Sequence, residues 1–351
     1  MRWLPFACVG LMPLVASAAN PPSLLAQGND KKAHGDLKGA LANYTEAIAA
    51  DPKDPKAYLA RGTVRSLTGN YDGAIADDTQ TIALDPKNAV AFTNRGNART
   101  SKGDLKGAMA DYTQALTLDP RHVHAFLNRG NIQNLQKNYA AAIADYTQAL
   151  ALEPQNAAAF YDRAGAKRST EDYAGAESDY SQAIELNSVD VPAYLNRAIL
   201  RIAQRNWEGG SDDLNKCLSL LPEDRQVYPH IYLWVIGVEQ GQTAPATQTL
   251  TAYLDHSPKR FESTWAWQIA QFLAGQVDEP AFLSSAKTFA LKKDRGQTAQ
   301  ACYYVGMKRL ASGDKTSASK YFSRCQHSGN RSLHEFVLAH EALKSLGGSG
   351  K

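Results

Sequence analysis

A spacing of 34 residues constrains this chain more than any other feature. Slid along the sequence in steps of that length, the stretch 88–122, NAVAFTNRGNARTSKGDLKGAMADYTQALTLDPRH, meets its own landmarks again. Gly62, Gly96 and Gly130 recur in register, as do Ala74, Ala108, Ala142 and Ala176. So do Tyr112, Tyr146 and Tyr180, and Pro52, Pro86, Pro120 and Pro154. A period in this range belongs to stacked supersecondary units. Within one period Gly96 and Ala108 lie on either side of the turn SKGDLK, small where two helices must approach closely. Phe92 and Tyr112 supply the apolar bulk between units. Asp119-Pro120 stops the second helix, because the residue before a proline is pushed out of the helical region. Such a pair cannot bury its apolar face alone, so each unit is stable only against its neighbours, and the stack winds round a concave inner surface.

These columns of small residue, aromatic and closing proline resemble the tetratricopeptide repeat. The resemblance implies an all-α fold, a right-handed α-solenoid of helix-turn-helix repeats finished by a C-terminal capping helix. In that frame the units are 21–54, 55–88, 89–122, 123–156, 157–190 and 191–224. The first is looser, with Leu24, Gly28, Ala40 and Tyr44 in the anchor columns; Ala164 and Ala198 replace glycine in the last two, and Ser188 stands where proline is expected. Asp78 replaces the core tyrosine of the second unit, which reads either as a local packing defect or as a polar contact. Arg61, Arg95, Arg129, Arg163 and Arg197 precede the small anchor, and Asp77, Asp111, Asp145, Asp179 and Asp213 recur on the second helices. Antiparallel helices bring these columns level, so they are expected to form salt bridges within each repeat, contributing about 0.5 kcal/mol each if partly exposed.

Residues 1–18 carry Arg2, an apolar run from Trp3 to Val15, and Ala16-Ser17-Ala18, the order of a secretory signal peptide cleaved after Ala18. The expected location is therefore the periplasm or the exterior, without stable membrane insertion, since no later stretch approaches the twenty or so apolar residues a span needs. Cys8 precedes most of the apolar run, the wrong place for lipid attachment. With 38 basic and 35 acidic residues the formal net charge is +3. The signs alternate along the helices, without the basic stripe that nucleic-acid binding requires.

From residue 225 the period fades into degenerate helical repeats extending to 298, interrupted by Pro229 and Pro245. Trp265, Ile269, Phe272 and Leu273 recur at helical spacing as core; Gly275 closes one helix and Glu279-Pro280 opens the next. A final repeat and capping helix occupy 299–346, with Gly306, Gly313, Ala318 and Phe322 in the anchor columns, and 347–351 is a tail. The succession YPHIYLWVIGVEQ, WAWQIAQFLAG, CYYVGMKRLASGDKTSASKYFSRC and EFVLAHEAL resembles the C-terminal half of bacterial new lipoprotein I type adaptors, which are periplasmic. That resemblance covers about 228–345 and implies a role in recruiting a processing protease or cell-wall hydrolases. The longer regular array before it departs from that group.

No Ser-His-Asp order, phosphate loop or HExxH motif is present. His122 with His124 and His334 with His340 read as surface pairs, and no metal or cofactor is implied. The reading is thus a non-catalytic scaffold that binds proteins or extended peptides in its groove. The alternative is an envelope hydrolase built in 225–298, where Glu262, Asp278 and Glu279 lie near tryptophans; it requires a deep pocket with two perturbed carboxylates. Positions facing the groove carry Asn94, Asn128, Asp162 and Asn196, with Asn97 and Asn131 alongside. Carboxamides both donate and accept, which suits them either to grip a peptide backbone or simply to cap and solvate the helices. Leu59, Thr93 and Leu127 occupy the column where other tetratricopeptide domains place a carboxylate clamp. Cys302 and Cys325 fall side by side if the two helices of the last repeat are antiparallel, as a disulfide favoured by export or as free buried thiols; Cys217 has no evident partner and is expected to stay free. Leu24, Leu25, Leu37 and Leu41 have no preceding unit to cover them, an opening for homodimerisation through the first repeat.

Overall fold

A computed structural model describes residues 23–257, 264–292, 296–330 and 333–347. The signal-peptide expectation for 1–18, and Glu262, lie outside the described residues. Among those described there are nineteen α-helices and no strand, so the fold is all-α. The chain divides into two compact units, 1–125 and 126–351.

In the first unit the helices run in antiparallel pairs: α1 (Leu24–Ala33) with α2 (Leu37–Ala50), α3 (Pro55–Leu67) with α4 (Tyr71–Leu84), and α5 (Ala89–Ser101) with α6 (Leu105–Leu118). Each second helix starts on the same device. Asp36, Asn70 and Asp104 accept the backbone N–H three residues on, satisfying one of the donors a helix start leaves orphaned. The residue before each cap, Gly35, Gly69 or Gly103, has φ near +80°. Close approach explains the glycine column: a Cβ on Gly96 would lie 2.6 Å from the Tyr112 ring, which packs flat on the helix backbone and is buried.

Helix α7 (Val123–Leu135) straddles the division and leads into the second unit. There α8 (Tyr139–Leu152) is followed by α9 (Ala157–Ser169) with α10 (Tyr173–Leu186), α11 (Val191–Ala203) with α12 (Trp207–Leu220), and α13 (Val227–Glu239) with α14 (Thr243–His256). After these come α15 (Trp265–Ala274), α16 (Glu279–Lys292), α17 (Gly296–Ala311), α18 (Lys315–His327) and α19 (His334–Ser345). One large core extends from Ala198 to Leu343, holding Tyr232, Trp234, Trp265, Trp267, Tyr303 and Tyr304. Trp265, Ile269, Phe272 and Leu273 are buried in it, and Phe282 stacks on Phe272 at 4.3 Å between ring centroids. Helix α15 ends at Gly275, left-handed at φ 84°, and α19 packs against α11, α17 and α18.

Candidate functional site

Arginine and aspartate columns close on each other inside every regular repeat after the first. Arg61 Nη2 meets Asp77 Oδ1 at 2.8 Å while Nε donates to Oδ2 at 3.0 Å. The same two-pronged geometry joins Arg95 to Asp111, Arg129 to Asp145, Arg163 to Asp179 and Arg197 to Asp213, with closest distances of 2.7, 2.7, 2.7 and 2.6 Å. A second cation reaches the same carboxylate in four repeats: Arg65, Arg99, Lys167 and Arg201. Each column arginine also lies over an aromatic ring one turn back, Tyr58, Phe92, Phe126, Phe160 or Tyr194. The aspartate side chains are 3–7% exposed, so the surface value of about 0.5 kcal/mol expected from sequence is too small. Removing a column arginine would weaken the compensation of a buried charge, a cost that reaches about 3–5 kcal/mol only where no second cation meets the carboxylate. These charges hold the repeat and are not offered to a ligand.

Six polar side chains of the expected ladder divide into three groups. Asn97 and Asn131 are exposed, yet their carbonyl oxygens accept the hydroxyls of Tyr112 at 2.8 Å and Tyr146 at 2.6 Å. Their acceptors are engaged within the repeat, and their place is to orient the core tyrosine. Asn94 in the first unit is half-buried and donates to Thr63 Oγ1 on the preceding first helix. In the second unit Asn128 and Asp162 are half-buried on successive first helices. Burial pushes the Asp162 carboxyl up to about 6, so part of its population carries a proton near neutrality.

Asn196 forms the third group, because the chain itself has filled it. Its Oδ1 accepts from Arg168 Nη1 at 2.9 Å and lies 3.0 Å from His334 Nε2. Its Nδ2 donates to Tyr161 Oη and to the Pro192 carbonyl. His334, expected at the surface with His340, instead bridges Asn196 and the hydroxyl of Tyr232. Burial, aided by the Arg168 charge, drives its pKa to about 3, so the ring is neutral. Beside it Glu335 is buried and accepts from Tyr304 at 2.7 Å and Tyr232 at 3.3 Å. Sequence reading missed Tyr161, Arg168, Tyr232, Tyr304 and Glu335, since contacts as distant in sequence as 161 with 196 and 232 with 335 leave no periodic signal.

The disulfide expected between Cys302 and Cys325 is not made in this structure. Both thiols are free and buried, as is Cys217, and Cys325 Sγ donates to the Glu335 carbonyl at 3.6 Å. Burial pushes both pKa values up, with Glu335 adding to the effect at Cys325. The hydrolase reading needed a deep pocket with two carboxylates. A cavity lined by Glu239 and Glu341 has a volume of only about 20 Å³, room for little more than one water. Asp278 caps the helix that begins at Glu279, and Glu279 binds Arg309 and Tyr321.

Family models described as tetratricopeptide repeat match residues 25–89 and 123–156, and one described as TPR repeat matches 96–136. No curated protein matches the chain. Among solved structures the chain is similar to Pseudomonas aeruginosa pilF, at 19% identity and TM-score 0.51 over 63% of this chain and 99% of that one. It is also similar to the C-terminal part of a TPR repeat-containing protein from Cytophaga hutchinsonii, at 16% identity and TM-score 0.52 over 72% of this chain and 94% of the other. These likenesses are of fold.

Proposed function

We propose that this chain, an all-α fold built of tetratricopeptide repeats, is a non-catalytic scaffold that grips an extended segment of a protein partner across the first helices of its second unit. The observation that carries this reading is a half-buried polar side chain at the same place on successive first helices of the second unit, Asn128 and Asp162. The charged columns beside them are closed by internal ion pairs. An amide at each repeat can donate to and accept from a peptide unit whatever its side chain. A groove already fixed by its neighbours spares the receptor most of the ordering cost of binding.

By its signal-like start the scaffold is exported, and by the resemblance of its C-terminal half its partner is a periplasmic processing protease or a cell-wall hydrolase. Leu25, Leu37 and Leu41 pack in part against Tyr44 and Val64, and their remaining surface is the contact of a homodimer. Crosslinking in the native envelope followed by mass spectrometry identifies the partner. Joint replacement of Asn128 and Asp162 by alanine should weaken its binding by about 1 kcal/mol per lost bond. Unchanged affinity in that variant would remove the first-helix face from consideration.

A further inference from the structure

Glu335 presents a problem that the fold leaves open. It is 1% exposed, and a carboxylate taken so far out of water is costly unless positive charge or several donors meet it. Among the described residues no lysine or arginine pairs with it. Both tyrosine hydroxyls that reach it go to the same oxygen, Oε1. One of these donors is shared: Tyr232 Oη lies 3.3 Å from Glu335 Oε1 and also 3.3 Å from His334 Nδ1. Asn196 Oδ1 can only accept, so the His334 proton sits on Nε2 and its Nδ1 competes for the one Tyr232 proton. Tyr304 is left as the dedicated donor to a buried charge.

That charge faces a cavity of about 240 Å³ lined by Leu195, Tyr228, Tyr232, Gln300 and Leu333, where one water needs about 10–15 Å³. Rings of Tyr228 and Tyr232 lie near-parallel, 6.4 Å apart. No described residue hydrogen-bonds the Tyr228 hydroxyl. Its pKa is raised to about 12 by burial and by the nearby Glu335 charge, which places the negative field inside the cavity. An anion would be repelled there, and a neutral guest would leave the carboxylate as it is. A metal ion would find one carboxylate and protonated phenols, a poor set of hard donors. A carboxylate combined with aromatic walls is the chemistry that receives an organic cation.

We propose that the cavity between α13, α17 and the start of α19 binds a primary alkylammonium group, paired with Glu335 and walled by Tyr228 and Tyr232. The cation is either a lysine side chain presented by a protein or a free amine, and the site is independent of the first-helix face. Calorimetric titration of the full chain with n-butylamine hydrochloride and with Nα-acetyl-lysine methylamide tests it, n-butanol serving as the uncharged control. Saturable binding of the amines and none of the alcohol is expected. Tighter binding of the lysine derivative assigns a protein-borne lysine; tighter binding of n-butylamine assigns a free amine. Glu335→Gln should weaken the amines about tenfold or more. Tyr228→Leu, which removes one aromatic wall and leaves Glu335 and both of its tyrosine donors in place, should also weaken them. No saturable heat from either amine overturns the site. So does equal binding of n-butanol, or wild-type affinity in both variants.

Discussion

Asp78 shows how one position can turn a packing column into a titrating group. Where the first, third, fourth and fifth repeats lay a tyrosine ring over the small anchor, the second places a carboxyl that is fully buried and whose two oxygens have no hydrogen-bond partner. Desolvation, then the neighbouring Asp77, lift its pKa to about 8 despite the pull of Arg95. The sign follows. The folded chain holds this proton between the unfolded value of about 3.9 and 8, so stability falls as pH rises across that window and levels off above it. Asp162 acts in the same sense only up to about 6. His122, His230 and His334, all lowered, act in the opposite sense below their ordinary value. Between pH 7 and 8 the slope therefore belongs to Asp78. Urea unfolding of the wild type should lose up to about 1.4 kcal/mol over that unit, and Asp78→Asn should flatten the dependence. The sequence exposed the break in the tyrosine column but left defect and polar contact both open. Deciding between them needed the structure, which leaves both Asp78 oxygens without a hydrogen-bond partner although the Arg95 charge is near. The tyrosine contacts of Asn97 and Asn131 were hidden for a related reason: a recurring amide looks the same whether it faces a guest or the tyrosine of its own repeat.

At the level of helices and turns, the period carried nearly everything for 24–220. The small anchors, the Asp or Asn caps and the proline stops each recur because each solves the same local problem again. The turn inside each pair keeps its left-handed residue throughout, at 35, 69, 103, 137, 171 and 205, but only the first three are glycine. Lys137, Glu171 and Arg205 adopt φ of 62°, 66° and 61°, a conformation that costs a residue with a Cβ about 1–2 kcal/mol. Lys137→Gly should therefore stabilise the chain by about 1 kcal/mol after the larger unfolded-state entropy of glycine is allowed for. The midpoint of chemical denaturation checks it, and an unchanged or lower midpoint would refute the strain argument. Between 227 and 298 the period is lost to sight because aromatic stacking, as in Phe272 on Phe282 and Tyr253 on His230, takes over from the small-on-ring contact, which returns where Gly306 meets the Phe322 ring. Helical spacing still revealed these segments and their core face, whereas their partners came only with the coordinates.

For the molecule, the informative feature is the end of the chain returning to its middle. Helix α19 was legible as a closing helix; its docking on α11 was not, because nothing in the spacing ties His334 to Asn196. A linear array folds by propagation, each pair needing only the pair beside it. The His334–Asn196 contact spans 138 residues and can form only when α12 to α18 are already in place. Contacts made last are absent from the folding transition state, so their loss appears in the unfolding rate. His334→Ala should thus accelerate unfolding in a stopped-flow denaturant jump while leaving the refolding rate within about twofold, and a refolding rate that dropped with stability would place this contact in the nucleus instead. The second unit is in this sense a line of repeats with a clasp, whose lifetime in the folded state is governed from its C-terminal end.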